Sequence, residues 1–322
     1  RLDIFIDQIV ILIAQRADVD DHIDLIRAVV DSIRRFKHLD GGRVRQDWYT
    51  NYGSVFSNDC EFWRNNETTS CKYVEGFKGN LPTANNAFKE GYFLEGWYDN
   101  AELTGNRIDS MSDTDAGDKD FYAKWVKLKT PTLDAADNCY EISDVAELYG
   151  FAQMVNGMDS LDRVGPYANL CAKLTKDIMV NENVLKSDGT LDKSRANKFL
   201  TWLQISNFWG TFDGQGHSIS GLYMFDSFGM IDNILSKADG TPSVIRNLTI
   251  VDSYSVGSGI VASLYNPLIV DNCHFKGNID VRKSICYGYR CSLARIGGVG
   301  GLVGHSETNL VVKNSSFEGK II

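Results

Sequence analysis

SGIVASLYNPLIVDNCHFKGNI at residues 258–279 lies over GGLVGHSETNLVVKNSSFEGKI at residues 300–321 at an offset of 42 residues, without a gap. Gly259/Gly301, Val261/Val303, Leu268/Leu310, Asn272/Asn314, Phe275/Phe317, Gly277/Gly319 and Ile279/Ile321 coincide, and Ile269/Val311 and Val270/Val312 are conservative pairs. A looser copy precedes them, Gly229-Met230-Ile231 followed by Val244 through Ile250. Self-similarity at a fixed period marks a stacked repeat architecture. Each unit is two short β-branched runs separated by Gly, Asn, Asp and Ser, so the stacked element is a strand. The fold class expected is mainly β: a right-handed parallel β-helix, or solenoid, with a helical N-terminal cap.

The matched positions have physical reasons. Val or Ile at alternate places faces the inside of a coil and stacks on its equivalent one turn away. Gly at the corners permits bends that a Cβ would obstruct. Asn247, Asn272 and Asn314 recur at the bend between strand pieces, where a side-chain amide serves unpaired backbone groups or forms a ladder with its copies. Sugar or metal ligation by these amides is the rival reading, and stacking is the one preferred.

The 322 residues are enough for two domains and a sizeable core. A net charge of −9 argues against nucleic acid or an anionic membrane as partner. Gly at 29 against 5 Pro, with 14 Tyr and 16 Phe, suits a turn-dense β protein. No run of about 18 apolar residues is present to span a membrane. The apolar stretch Ile9–Ala14 follows Asp3 and Asp7 and makes a poor secretory signal. The chain begins with Arg and ends at Ile322 inside a repeat unit, so an export signal and further coils are expected outside this sequence.

Seven Cys are present. Cys60 and Cys71 bracket one loop, Cys139 and Cys171 flank a helical pattern, Cys286 and Cys291 bracket a Tyr/Arg loop, and Cys273 is left over. Three disulfides and an odd thiol fit an oxidising compartment. Free thiols are the alternative, and zinc ranks below both because no CxxC occurs and the His do not cluster with the Cys.

Residues 1–44 read as an N-terminal helical segment. Asp18, Asp20 and Asp21 precede Ile23, Ile26, Val30 and Ile33, Arg34, Arg35 and Lys37 close the segment, and Gly41-Gly42 supplies a stop. Residues 45–126 are aromatic and turn-rich. There EGYFLEGWYDNAELTGNRI (90–108) followed by GDKDFYAKW (117–125) resembles the Listeria–Bacteroides repeat, or internalin B-repeat, over roughly residues 72–126. The resemblance implies a small β-grasp-like module of bacterial surface proteins. Trp97 and Trp125 are expected in its core, with a sugar-stacking platform as the alternative. Asp113, Asp115, Asp118 and Asp120 fail the calcium-loop pattern, because Gly117 and Lys124 stand in the wrong places, and read as a solvated turn.

Residues 127–138 read as a linker. Cys139-Tyr-Glu-Ile is a strand, and Ser143 is expected to cap a helix carrying Val145, Leu148, Tyr149, Ala152 and Val155, stopped by Gly157. Such a helix suits the open end of a β-helix, and a Cys139–Cys171 bond would pin it there. Phe208 through Leu222 is strand, tight turn, strand, with the turn at Asp213-Gly214-Gln215-Gly216. GTFDGQGHSISGL (210–222) and GGLVG (300–304) make residues 139–322 similar to the GLUG-motif β-helix proteins of bacterial surfaces and secretions.

Enzymes built on parallel β-helices exist, and glycoside hydrolysis needs two carboxylates about 5–9 Å apart in one cleft. Asp213, Asp226, Asp252, Asp271 and Asp280 are the candidates, and His217 beside Asp213 could pass for an acid/base pair. The position of Asp271 is taken by Arg246 and Lys313 in the neighbouring units, which suggests a solvated face. No GxSxG occurs. The reading is therefore a non-catalytic, secreted or cell-surface bacterial protein, without cofactor or metal. Its expected work is adhesion to polysaccharide or to an extracellular protein surface. A polysaccharide lyase or glycoside hydrolase is the alternative, and acids and bases converging in one groove would distinguish it from a groove-free adhesive face.

Overall fold

The computed structural model describes residues 31–37, 43–44, 60–61, 68–74, 79–84, 87–112, 114–115, 117–157, 169–235, 237, 239–281 and 300–322. Most of the segment read as an N-terminal helix lies outside them, as do Cys286 and Cys291. Its last part is described and is a strand. Asp31–Lys37 (β1) pairs antiparallel with Thr68–Val74 (β4) and parallel with Lys119–Lys127 (β9). Backbone pairing on both edges outweighs the near-helical spacing that ended at Ile33, a case of tertiary context overriding local pattern.

With Cys60–Glu61 (β3) and Tyr92–Tyr98 (β7), these strands form a mixed five-stranded sheet in the order β3-β4-β1-β9-β7. Arg43–Val44 (β2) pairs antiparallel with Ala87–Phe88 (β6), and Gly79–Asn80 (β5) with Ser110–Met111 (β8). On β9 and β7 the pleat sorts the side chains: Phe121, Ala123 and Trp97 are buried on one face, while Asp120, Tyr122 and Lys124 stand on the other.

The 42-residue offset appears in space as residue-for-residue parallel pairing. Val261 sits beside Val303, Leu268 beside Leu310 and Phe275 beside Phe317. The first sheet of this region runs Thr132–Asp134 (β10), Cys139–Ile142 (β11), Cys171–Leu174 (β12), Thr211–Asp213 (β14), Ser243–Arg246 (β18), Leu268–Asp271 (β21) and Leu310–Lys313 (β24). A second runs Ile178–Met179 (β13), Ser218–Ser220 (β15), Thr249–Ser255 (β19), His274–Ile279 (β22) and Ser316–Ile321 (β25), with Tyr223–Met224 (β16) beside β19. A third holds Ile231–Ile234 (β17), Val261–Leu264 (β20) and Val303–Ser306 (β23).

The expected single right-handed β-helix is nonetheless corrected. The described strands are distributed over six separate sheets: the N-terminal one is mixed, the two-stranded ones are antiparallel, and the seven-stranded one opens with the antiparallel pair β10–β11. The molecule is a mainly β assembly of several sheets with one α-helix among the described residues, not one closed solenoid. A repeat confined to the last third governs the pairing of its own copies. Parallel pairing extends from these copies back to β11 and stops there, because β10 joins antiparallel and the strands of residues 31–127 form mixed and antiparallel sheets of their own.

The turn at residues 213–216 forms with Gln215 and Gly216 at positive φ, but β14 and β15 on either side do not pair with each other. Each joins a different sheet, so the turn is a corner rather than a hairpin. Helix α1 (Val145–Asn156) is capped by Asp144, whose side chain accepts from the Glu147 N–H at 2.9 Å, one residue later than expected. Ser143 still contributes, donating its N–H and hydroxyl to the Glu147 carboxylate. Leu148, Tyr149, Phe151, Ala152 and Val155 of α1 are fully buried with Trp202, Phe208 and Phe212 in one core. The segment 127–138 carries β10 and the turn before β11.

Candidate functional site

Six in-register positions on the seven-stranded sheet carry Glu141, Lys173, Asp213, Arg246, Asp271 and Lys313, one per strand from β11 to β24. The charge alternates at every step. Arg246 Nε lies 2.7 Å from the Asp213 carboxylate, Lys313 Nζ 3.1 Å from Asp271, and Lys173 Nζ 3.5 Å from Glu141 and 2.9 Å from Asp137. Sequence reading found only the last three members. The earlier ones sit at unequal spacings that no fixed offset aligns. Opposite charges directly across strands are favourable, and the column neutralises itself, so it offers no single-sign surface to a ligand.

Beside this column run the bend residues Asn247, Asn272 and Asn314, each with φ between 52° and 54°. Asn tolerates this left-handed conformation better than most residues with a Cβ. Asn272 Nδ2 donates to Asn247 Oδ1 at 3.1 Å, and Asn247 Nδ2 donates to Asp213 Oδ1 at 3.1 Å. Asn314 donates instead to Asp271 at 3.0 Å. The recurring amides are thus engaged with one another and with the charge column.

The five Asp considered for catalysis do not share a cleft. Asp213 is almost fully buried and accepts from Gln215, Asn247 and Arg246. Asp252 sits at a bulge in β19 and accepts from the Val184 and Leu185 N–H groups. Asp226 accepts from the Thr83 hydroxyl, Asp271 pairs with Lys313, and Asp280 is buried. His217 faces Asp177, at 3.5 Å, and not Asp213.

Burial opposes the charge on Asp213, but the Gln215 N–H, the Asn247 amide and the Arg246 guanidinium outweigh it and hold its carboxyl below the usual range. The Asn314 amide and Lys313 do the same for Asp271. Both are fixed anions at neutral pH, the wrong state for a general acid.

The outward face of the N-terminal sheet has a different character. Tyr98 pairs with Tyr122 across β7–β9, and Tyr122 with Lys37 across β9–β1, which sets the three in one row, with Tyr98 buried and Tyr122 and Lys37 partly exposed. Lys37 Nζ bonds Asp120 at 2.6 Å and stands 5.3 Å from the Tyr122 ring centre. Lys124 repeats the pattern, 2.9 Å from Glu95 and 5.5 Å from the Tyr98 ring. Lys89 lies over both Tyr92, at 4.7 Å, and Trp125, at 5.8 Å. Such cation–π contacts hold lysine and ring together. The two tryptophans part company here: Trp97 is 1 % exposed and donates its indole N–H to Pro82 O, while Trp125 is half-buried beneath Lys89.

A cleft lined by Pro82, Thr83, Arg107, Asp109, Thr201 and Phe225 has room for little more than a water molecule. Cys139 and Cys171, in-register partners on β11 and β12, form a disulfide. Cys60 and Cys71 are partners across β3–β4, with their side chains outside the described residues. Cys273 is a buried free thiol whose pKa burial pushes up to about 11. No helix among the described residues is long and apolar enough to cross a membrane.

Residues 60–124 match the family model of the Listeria-Bacteroides repeat domain, which places β3 through most of β9 in that module. No curated protein and no solved structure shows significant similarity to the chain.

Proposed function

We propose that this chain is part of an exported bacterial surface or secreted protein that binds a polysaccharide or an extracellular protein surface without transforming it. The observation that carries the reading is the cluster of Tyr122 and Lys37 with Lys124, Glu95 and Asp120, a partly exposed polar sheet face backed by the buried Tyr98. Aromatic rings bordered by hydrogen-bonding and charged groups suit a hydroxyl-rich or mixed-charge ligand. The Cys139–Cys171 disulfide supports an oxidising compartment. The repeat-domain match supports the bacterial-surface setting. The motifs GTFDGQGHSISGL and GGLVG support kinship of the later region with GLUG-motif surface proteins.

The scattered, individually engaged carboxylates favour binding over hydrolysis. The whole chain is to be tested on an array of polysaccharides and matrix proteins, with release of reducing sugar or unsaturated product read in the same wells. Retention without product is expected, with Tyr122→Ala weakening it about tenfold, the scale of one aromatic contact. Product release would establish the enzymatic alternative. Binding indifferent to Tyr122→Ala would move the site off this face.

A further inference from the structure

We propose that the repeat domain and the parallel-strand region behind it fold as one cooperative unit locked by Arg107, so that the repeat domain covers helix α1 instead of being tethered as an independent bead. Arg107 is 7 % exposed, and its guanidinium uses all five of its N–H donors. Three stay within the repeat domain: Nε and Nη2 bond the Asp109 carboxylate at 2.6 and 3.2 Å, and Nη1 bonds Glu95 O at 3.2 Å. The other two cross the joint, to Ala196 O at 3.2 Å and to Phe199 O. Gly96 makes room for this side chain, since a Cβ there would stand 1.9 Å from Arg107 Cδ. Lysine cannot reproduce a planar fork with five fixed donors.

The receiving segment is itself tied down. Residues 184–191 turn back on themselves and lead to the 3₁₀ turn Ala196–Lys198, whose carbonyl Ala196 O takes the Arg107 bond. Val184, Leu191 and Phe199 pack with Tyr223, Tyr254 and Val256 in a second core cluster. Asp252 holds the Val184 and Leu185 N–H groups, and Asn278 Nδ2 holds Gly189 O at 2.9 Å. Buried and part-buried contacts therefore link β7 through Arg107 to β19 and β22.

A second seam acts in parallel. Phe93 of β7 enters the main core with its ring 4.5 Å from that of Tyr149. Gln153 of α1 accepts from the Gly91 N–H at 3.0 Å and donates to Tyr92 O at 2.8 Å. Gly150 of α1 lies so close to Lys129 O that a Cβ would approach it to 2.0 Å. Independent domains meet through surfaces that part easily, whereas opening this joint would break the two charge-assisted bonds of Arg107 to Ala196 O and Phe199 O and uncover Phe93, although Asp109 and Glu95 O would keep their share of the guanidinium.

The test is hydrogen exchange of the whole chain in rising denaturant, comparing amides of β7 and β9 with those of β19 and β22. In the unaltered protein both sets should lose protection at one midpoint. In Arg107→Ala and Arg107→Lys, β7 and β9 should open first, with protection reduced about a hundredfold, while β19 and β22 keep theirs. Earlier, independent opening of β7 and β9 in the unaltered protein would overturn the proposal, as would coincident and unshifted midpoints in Arg107→Ala. Should the Arg107 variants not fold, the unaltered protein decides alone, and Gln153→Ala, which weakens only the second seam, should show the same early opening.

Discussion

Asn272 shows how much one residue type can state in advance. It stands at φ 54°, its amide bonds Asn247, and its backbone N–H reaches Lys313 O. Recurrence of Asn at a bend was enough to assign it to stacking, because few other residues combine tolerance of the left-handed region with a local hydrogen bond. Asn272→Ala should cost about 1–2 kcal/mol in denaturant unfolding, and Asn272→Gly less, because Gly relieves the strain but not the lost amide. Equal losses in the two variants would contradict a conformational role. Arg107 is the opposite case. An arginine in a polar, turn-rich stretch gives no sign of burial, and its receiving carbonyls, Ala196 O and Phe199 O, lie far along the chain. His217 likewise drew attention through its neighbour in sequence, while space gave it Asp177.

Among the elements, helix α1 was legible from its periodic apolar face, and its cap moved by one residue because Asp144 accepts the Glu147 N–H directly. The disulfide across the helix joins residues separated by 32 positions. Closing a loop of that size restricts the unfolded chain by about 3–4 kcal/mol in the loop-entropy account. Replacing both Cys139 and Cys171 by Ser should lower the unfolding free energy by that order. Added reductant should then destabilise the original protein and leave the double variant unchanged; a double variant that still responded to reductant would point to another bond. Strand β1 was misread as helix because its partners, β4 and β9, are distant in sequence and supply the hydrogen bonds that decide its conformation.

For the whole molecule, the charges are arranged so that their pairing sets the pH limits of stability. The Ser112 N–H holds the Asp115 carboxyl low, and the Ser218 N–H does so for Asp177; Asp213 and Asp271 are also depressed. A depressed carboxyl contributes stability that is present above its ordinary value near 4 and is lost as pH falls through the folded value. The bonds of Lys37 to Asp120, Lys124 to Glu95 and Lys173 to Asp134 raise those ammonium groups above 10.5. Their contribution is complete below that value and is lost as pH rises through the folded one. Unfolding free energy should therefore be insensitive to these groups between about pH 5 and pH 10, fall on both sides, and fall on the acid side less steeply in Asp213→Asn. An acid limb unchanged by that substitution would remove Asp213 from the account.

What the sequence by itself determined was whatever repeats or acts locally: the mutual pairing of the 42-residue copies, the Asn bends, the apolar face of α1, the Cys139–Cys171 partnership and the aromatic repeat module. These follow from backbone preference and short-range periodicity, which a linear reading contains. Tertiary structure alone decided the division into several sheets, the alternating charge column from Glu141 to Lys313, and the entry of Arg107 and Phe93 into the joint. Each of these depends on strands meeting across unequal lengths of intervening chain. Such meetings are settled by the combined burial and hydrogen bonding of all the partners, not by the pattern within any one of them.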